Sequence, residues 1–133
     1  MSTSVEIRTP STDGTVRPGG CVHGYIRTTT PDEERVRNAL AEIEFWCAVT
    51  GHNLASVFVD SGVPDDAVER PAYDALVTAA GAAALCETVV VVHVHHLSRD
   101  LQRAERMARQ LWSTGTRIVV ASHGGDLTPE QFD

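Results

Sequence analysis

Val89–Arg99 reads Val-Val-Val-Val-His-Val-His-His-Leu-Ser-Arg, and its two halves have opposite character. Four consecutive β-branched apolar residues suit a strand covered on both faces, the situation of a central strand in a parallel sheet. The polar residues arrive together where that strand should end, just before a helical pattern. In open α/β sheets the carboxyl edge of the strands is where ligands and chemistry collect. His93, His95, His96, Ser98 and Arg99 therefore form the first group of candidate functional residues, with Val89–Val94 as the strand that presents them.

The rest of the chain alternates in the same way. Cys21–Ile26 is a short apolar run, and Leu54–Val59 is another that ends in Asp60-Ser61-Gly62. Between them, Val36, Leu40, Ile43 and Cys47 recur at helical intervals from Pro31 to Thr50, with Gly51 as the stop. Thr30 and Glu33 make a capping box, with Pro31 at the first helical position. Arg70-Pro71 opens a second helix carrying Ala72, Leu76, Val77 and Ala80. A third runs over Ser98–Ser113, and Thr116–Ala121 is a further strand. Strands alternating with helices predict a three-layer α/β fold, with a mostly parallel sheet of about four strands and helices on both faces.

With 133 residues the chain is long enough for one domain with a real core. We expect a disordered arm over residues 1–20, a domain over 21–122 and a polar tail over 123–133. No apolar run is long enough to span a bilayer, and Met1–Gly20 has no secretory apolar segment, so neither a membrane protein nor a secreted one is expected. Three cysteines without a C-x-x-C spacing argue for a reducing, cytoplasmic setting, against a zinc ribbon and against a disulfide framework. Cys47 and Cys86 fall on apolar stripes and read as small hydrophobes. The net charge of −7, with arginine as the only cationic residue type besides histidine, speaks against a free-standing, non-specific nucleic-acid binder. It leaves room for a locally positive site.

Such a site is suggested by three strand-end segments: Tyr25-Ile26-Arg27-Thr28-Thr29, Asp60-Ser61-Gly62 with Arg70, and His95-His96-Leu97-Ser98-Arg99. In a parallel sheet all three reach one edge. Arg27, Arg70 and Arg99 would then stand beside a hydroxyl, an arrangement suited to neutralising phosphate oxygens. By spacing alone the same arginines could equally flank helix termini on the surface. His93 and His95 have the i, i+2 spacing of a His-x-His metal pair, but the further ligands that zinc needs (Asp60, Asp100 or His23) follow no pattern, and no metal is expected.

Tyr25-Ile26-Arg27-Thr28-Thr29-Thr30, Asp60-Ser61-Gly62, Arg70-Pro71 and Leu97-Ser98-Arg99 stand in the order and spacing of the serine recombinase (resolvase/invertase) catalytic domain, which the chain resembles from about Cys21 to Ala121. That family shows Tyr-x-Arg-x-Ser-Thr after the first strand, an Asp-x-x-Ser-Gly-like loop, Arg-Pro, and Asp-Arg-Leu-Ser-Arg after the central strand. The resemblance implies a resolvase-like fold and metal-free, cofactor-free chemistry, in which a serine attacks a DNA phosphodiester with the help of arginines. It places Thr29 at the nucleophile, Arg27, Arg70 and Arg99 on the phosphate, and His95-His96 at the Asp-Arg pair. Tyr25, Ser98 and Arg103 belong to the implied phosphate- or DNA-binding surface.

Thr29, His95 and His96 depart from the pattern. The threonine methyl crowds the attack trajectory, and a misplacement of about 1 Å can lower a rate on the order of a hundredfold. His96 exchanges a permanent guanidinium for an imidazole, and losing one such donor typically costs roughly 3–4 kcal/mol of barrier lowering. His95 removes a carboxylate. The expectation is a degenerate site in an interaction or regulatory protein. It would reach DNA weakly or through a partner chain and assemble as a homodimer or hetero-oligomer. The alternatives are an active nicking or recombining enzyme using Thr29, and a metal-dependent hydrolase built on His93 and His95.

Overall fold

The computed structural model describes residues 5–8, 16–82 and 86–132. Six strands form one sheet: β1 (Glu6–Arg8), β2 (Cys21–Arg27), β3 (Asn53–Asp60), β4 (Cys86–Val91), β5 (Arg117–Val120) and β6 (Gly125–Asp126), in the spatial order β1-β3-β2-β4-β5-β6. The four long strands pair in parallel, and the short β1 and β6 close the two edges antiparallel. The parallel core of four strands is the one expected from the sequence. Three helices connect it: α1 (Glu33–Thr50), α2 (Pro71–Ala82) and α3 (Leu101–Trp112). Among the described residues no helix is long and apolar enough to cross a membrane.

The valine run explains the layering. Val89 and Val91 point into one apolar cluster, with Tyr25, Phe58 and the buried faces of α2 and α3. Val90 points the other way, into a cluster with Val22, Ile26, Val57 and the α1 residues Val36, Ala39, Ile43 and Cys47. A strand buried on both faces must be apolar at every position, which is why this run shows no alternation. Gly24 lets α1 settle closely, since a Cβ there would stand 3.3 Å from both Ile43 Cδ1 and Val57 Cγ2. From β2 the chain crosses to β3 on one side, then returns over β2 to β4 on the other. The strand order therefore reverses between β2 and β4, and the crevice at their carboxyl ends is the place such sheets offer a ligand.

Several boundaries differ from the sequence reading. β4 ends at Val91 rather than Val94, and Val94–His96 form a 3-10 turn. His93 and His95 are thus not two residues on one strand face. Helix α1 begins two residues later than the Thr30 box implies, because Asp32 is extended and its carboxylate accepts the Arg35 N–H at 3.1 Å. An aspartate caps at least as well as a threonine and also complements the helix dipole. By the same chemistry Asp100, accepting from Gln102 N–H at 3.0 Å, starts α3 after Ser98.

The expected disordered arm contains β1, whose Glu6, Ile7 and Arg8 pair with Val59, Phe58 and Val57. Arg8 reaches across to Glu33 through two hydrogen bonds, of 2.7 and 2.8 Å. Residues 1–4 and 9–15 of that arm lie outside the described residues. The expected tail contains β6 and a buried Leu127. Cys21 and Cys86 stand opposite each other on β2 and β4, with Cα atoms 4.7 Å apart, and form a disulfide. Here the sequence reading is corrected: strand register, which cysteine spacing does not reveal, brings them together. Cys47 is free and buried, as expected of a small hydrophobe.

Candidate active site

At the β2/β4 switch point the chain leaves a cleft of about 230 Å³ lined by Arg27, Thr28, Thr29, Arg35, His93, His95, His96 and Arg99. Among the described residues no carboxylate lines it, so a chain of net charge −7 presents a basic, hydrogen-bonding crevice here. The two sides of the cleft come from Arg27–Thr29, which continue β2, and from the turn that follows β4.

Arg27 is the most committed of these residues. Its guanidinium is buried, and it donates from Nε to the His96 carbonyl at 3.2 Å and from Nη1 to the Val63 carbonyl at 2.9 Å. Nη2 donates to Asp65 Oδ1 at 2.7 Å and to the His95 carbonyl at 2.6 Å. Four of the five N–H donors that a guanidinium carries are therefore satisfied by the chain itself. Burial, then the neighbouring Arg70, lowers its pKa from the usual arginine value, with Asp65 opposing.

Arg70 reaches the same strand edge from behind. It is 3% exposed and does not line the cleft; Nη1 donates to the Leu97 carbonyl, while Nε and Nη2 are buried without a partner among the described residues. Arg99 is exposed and lines the cleft, and its backbone N–H donates to Asp65 Oδ1 at 3.0 Å. Arg103 does not reach the cleft. Both its Nη groups donate to backbone carbonyls of the loop after β3, those of Asp65 and Ala67. The three guanidiniums expected around one phosphate thus share an edge but do different work.

Thr28 is buried and its Oγ1 accepts the Gly62 N–H at 3.1 Å. This ties the end of β2 to the Asp60-Ser61-Gly62 turn, where Gly62 has φ +70° and a Cβ would lie 2.9 Å from Pro31 Cγ. Thr29 is half-buried and lines the cleft. Asp60 is committed elsewhere. Its carboxylate accepts from Tyr25 Oη at 2.7 Å and from the N–H groups of Ala72 and Tyr73 at 2.9 and 3.0 Å, which caps α2 from the neighbouring strand. Tyr25 is fully buried in this network, and burial, then Asp60, raises its pKa well above the usual phenol value. Ser98 is also fully buried, its Oγ accepting the Asp100 N–H at 3.1 Å. Neither hydroxyl reaches the cleft.

His96 is held in one form. Its Nδ1 accepts the Arg27 backbone N–H at 3.2 Å, which leaves the ring proton on Nε2. Burial, then Arg27, pushes its pKa down to about 4, so the ring is a neutral donor at pH 7. His93 Nδ1 likewise accepts the His95 N–H at 3.2 Å. Burial, then His95 and His123, lowers the His93 pKa, and its ring centroid lies 4.2 Å from that of His95 and 6.0 Å from that of His123. Among the described residues no group of three or more His, Cys, Asp or Glu side chains has the geometry to hold a metal ion.

Two site residues were not singled out in the sequence. Arg35 enters from the first turn of α1, paired to Asp32 at 3.3 Å, and its only trace in the sequence is the three-residue spacing from that cap. Asp65 belongs to no motif or periodic pattern, although Pro64 fixes the backbone beside it.

The family model described as "Resolvase, N terminal domain" matches residues 22–132. No curated protein matches the chain. Among solved structures, the N-terminal catalytic domain of TP901-1 integrase superposes with a TM-score of 0.71 at 17% identity, covering 80% of this chain and 81% of that one. A resolvase family site-specific recombinase from Streptococcus pneumoniae gives 0.70 at 11% identity, covering 84% and 80%. The C-terminal catalytic domain of IS1535 TnpA, an IS607-like serine recombinase, gives 0.57 at 24% identity, covering 75% and 70%. At these identities the superpositions speak for the fold, and the family match spans most of the chain: it belongs to the resolvase N-terminal domain family, the catalytic domain of the serine recombinases.

Proposed function

We propose that this domain keeps the recombinase scaffold and its phosphate-facing cleft, is impaired in strand cleavage, and serves DNA strand exchange as an interaction or regulatory protein. The observation that carries the reading is the state of Arg27. The guanidinium expected to bind the scissile phosphate is buried and holds four protein acceptors, with one N–H to offer. Three departures from the family pattern support it. Thr29 brings its hydroxyl to the cleft on a stiff, β-branched side chain. His96 supplies a neutral N–H where the family has a forked cation. His95 supplies no carboxylate. Contact with DNA is weak or made through a partner chain in a homodimer or hetero-oligomer.

The test is incubation with supercoiled plasmid across a pH series that spans histidine protonation, followed by denaturation and a search for nicked DNA and covalently attached protein. Neither product is expected. An adduct formed by the native chain and lost in Thr29→Ala overturns the reading in favour of an active enzyme that uses Thr29.

A further inference from the structure

The loop between β3 and α2 carries Asp65, Asp66 and Glu69, and three arginines grip it. Arg27 donates to the Val63 carbonyl at 2.9 Å and to Asp65 Oδ1 at 2.7 Å, Arg99 gives its backbone N–H to the same Oδ1 at 3.0 Å, and Arg103 donates to the carbonyls of Asp65 and Ala67. The Arg27 side chain is 2% exposed and that of Asp65 33%, so the ion pair joins a nearly buried guanidinium to a partly exposed carboxylate. Asp65 is held in its charged form: its pKa lies below the ordinary carboxylate range, with the Arg99 N–H and the Arg27 charge outweighing partial burial.

A carboxylate and a phosphate oxygen compete for the same guanidinium N–H groups, because both accept charge-assisted hydrogen bonds in the plane of the fork. We propose that Asp65 is an internal anion that latches the cleft: an incoming phosphate oxyanion gains the Nη2 donor of Arg27 only by displacing the Asp65 carboxylate. The latch is set from α3, because Arg103 fixes the backbone at Asp65 and just after it, at Ala67, without entering the cleft. Anything that loosens the loop from Arg103 would open the cleft to phosphate. The inference rests on the reading of the cleft as phosphate-facing, and it concerns binding, whereas the plasmid assay reads bond cleavage. The two can therefore fail separately.

The test titrates the native chain, Asp65→Asn and Arg103→Gln with inorganic phosphate and with a short oligonucleotide lacking terminal phosphates. Binding is followed through the Arg27 side-chain and His96 ring resonances. Both variants should bind more tightly than the native chain, by about tenfold for one displaced charge-assisted hydrogen bond. The probe that gains more tells whether a phosphodiester or a free phosphate is the better ligand. Arg103→Gln is the decisive variant. It removes a positive charge, so long-range electrostatics alone would weaken anion binding, whereas release of the latch strengthens it. Weaker or unchanged binding by Arg103→Gln in a folded protein overturns the proposal, as does failure of Asp65→Asn to bind either probe.

Discussion

Acidification should destabilise this protein over a window set by His96. The ring sits half-buried with its Nδ1 on the Arg27 N–H, and its pKa is lowered from 6.5 to about 4. The unfolded chain therefore takes up this proton first, and stability falls as pH drops from 6.5 toward 4. For those two values the loss is about 2 kcal/mol by pH 5 and about 3 kcal/mol at pH 4. At roughly 3–5 °C per kcal/mol for a domain of this size, the melting temperature should fall by roughly 6–10 °C between pH 7 and pH 5. His93 and His23, whose pKa values burial also lowers, add to the slope in the same direction. The carboxylates held below their usual range, Asp65, Asp126 and Glu33, contribute only at lower pH, since their stabilisation is lost as pH falls through their depressed values. The control is His96→Asn, whose carboxamide oxygen can accept the Arg27 N–H without titrating. Thermal melts of both proteins between pH 7 and pH 5 should give a shallower slope for the variant by about 2 kcal/mol. Parallel slopes would refute the placement of His96 as a buried, neutral acceptor.

Two further outcomes follow from the same contacts. The Cys21–Cys86 disulfide joins residues 65 apart in sequence, so reduction, or Cys86→Ser, should lower stability by about 4 kcal/mol by the loop-entropy relation; urea melts with and without reductant measure it, and coincident curves would count against the bridge. Asp60→Ala removes the buried carboxylate that accepts from Tyr25 Oη and caps α2 through Ala72 and Tyr73. It should destabilise by about 3–5 kcal/mol, with Asp60→Asn losing less, read by denaturant titration.

What the sequence disclosed depended on whether the deciding interaction leaves a periodic trace. Val89–Val91 must be apolar on both sides because α1 covers one face and α2 and α3 the other, and that requirement is written directly in the valine run. The motif-bearing segments reach one edge for the same reason: parallel strands put all their carboxyl ends together. Element ends were less legible. In composition the β-branched stretch extends to Val94, yet the 3-10 turn begins at that residue. Val5–Arg8 alternate apolar and polar over only four residues, too few to mark a strand, and the segment is fixed by backbone pairing, here to Val57–Val59. The allegiance of each arginine was hidden because most of their acceptors are backbone carbonyls, of Val63, Ala67, His95, His96 and Leu97, which every residue type possesses. Thr29, His95 and His96 were legible as departures from a motif. That Asp65 holds Arg27 was not.

The central claim, a recombinase scaffold whose cleft no longer cuts DNA, is tested most directly by an adduct assay with its own positive control. The native chain and a reverted chain carrying Thr29→Ser, His95→Asp and His96→Arg, together with Asp65→Asn to loosen the hold on Arg27, are each incubated with supercoiled plasmid, once circular dichroism has shown both to be folded. Covalently attached protein is then measured after denaturation. The account predicts an adduct from the reverted chain and none from the native one. An adduct from the native chain that disappears in Thr29→Ala would contradict it.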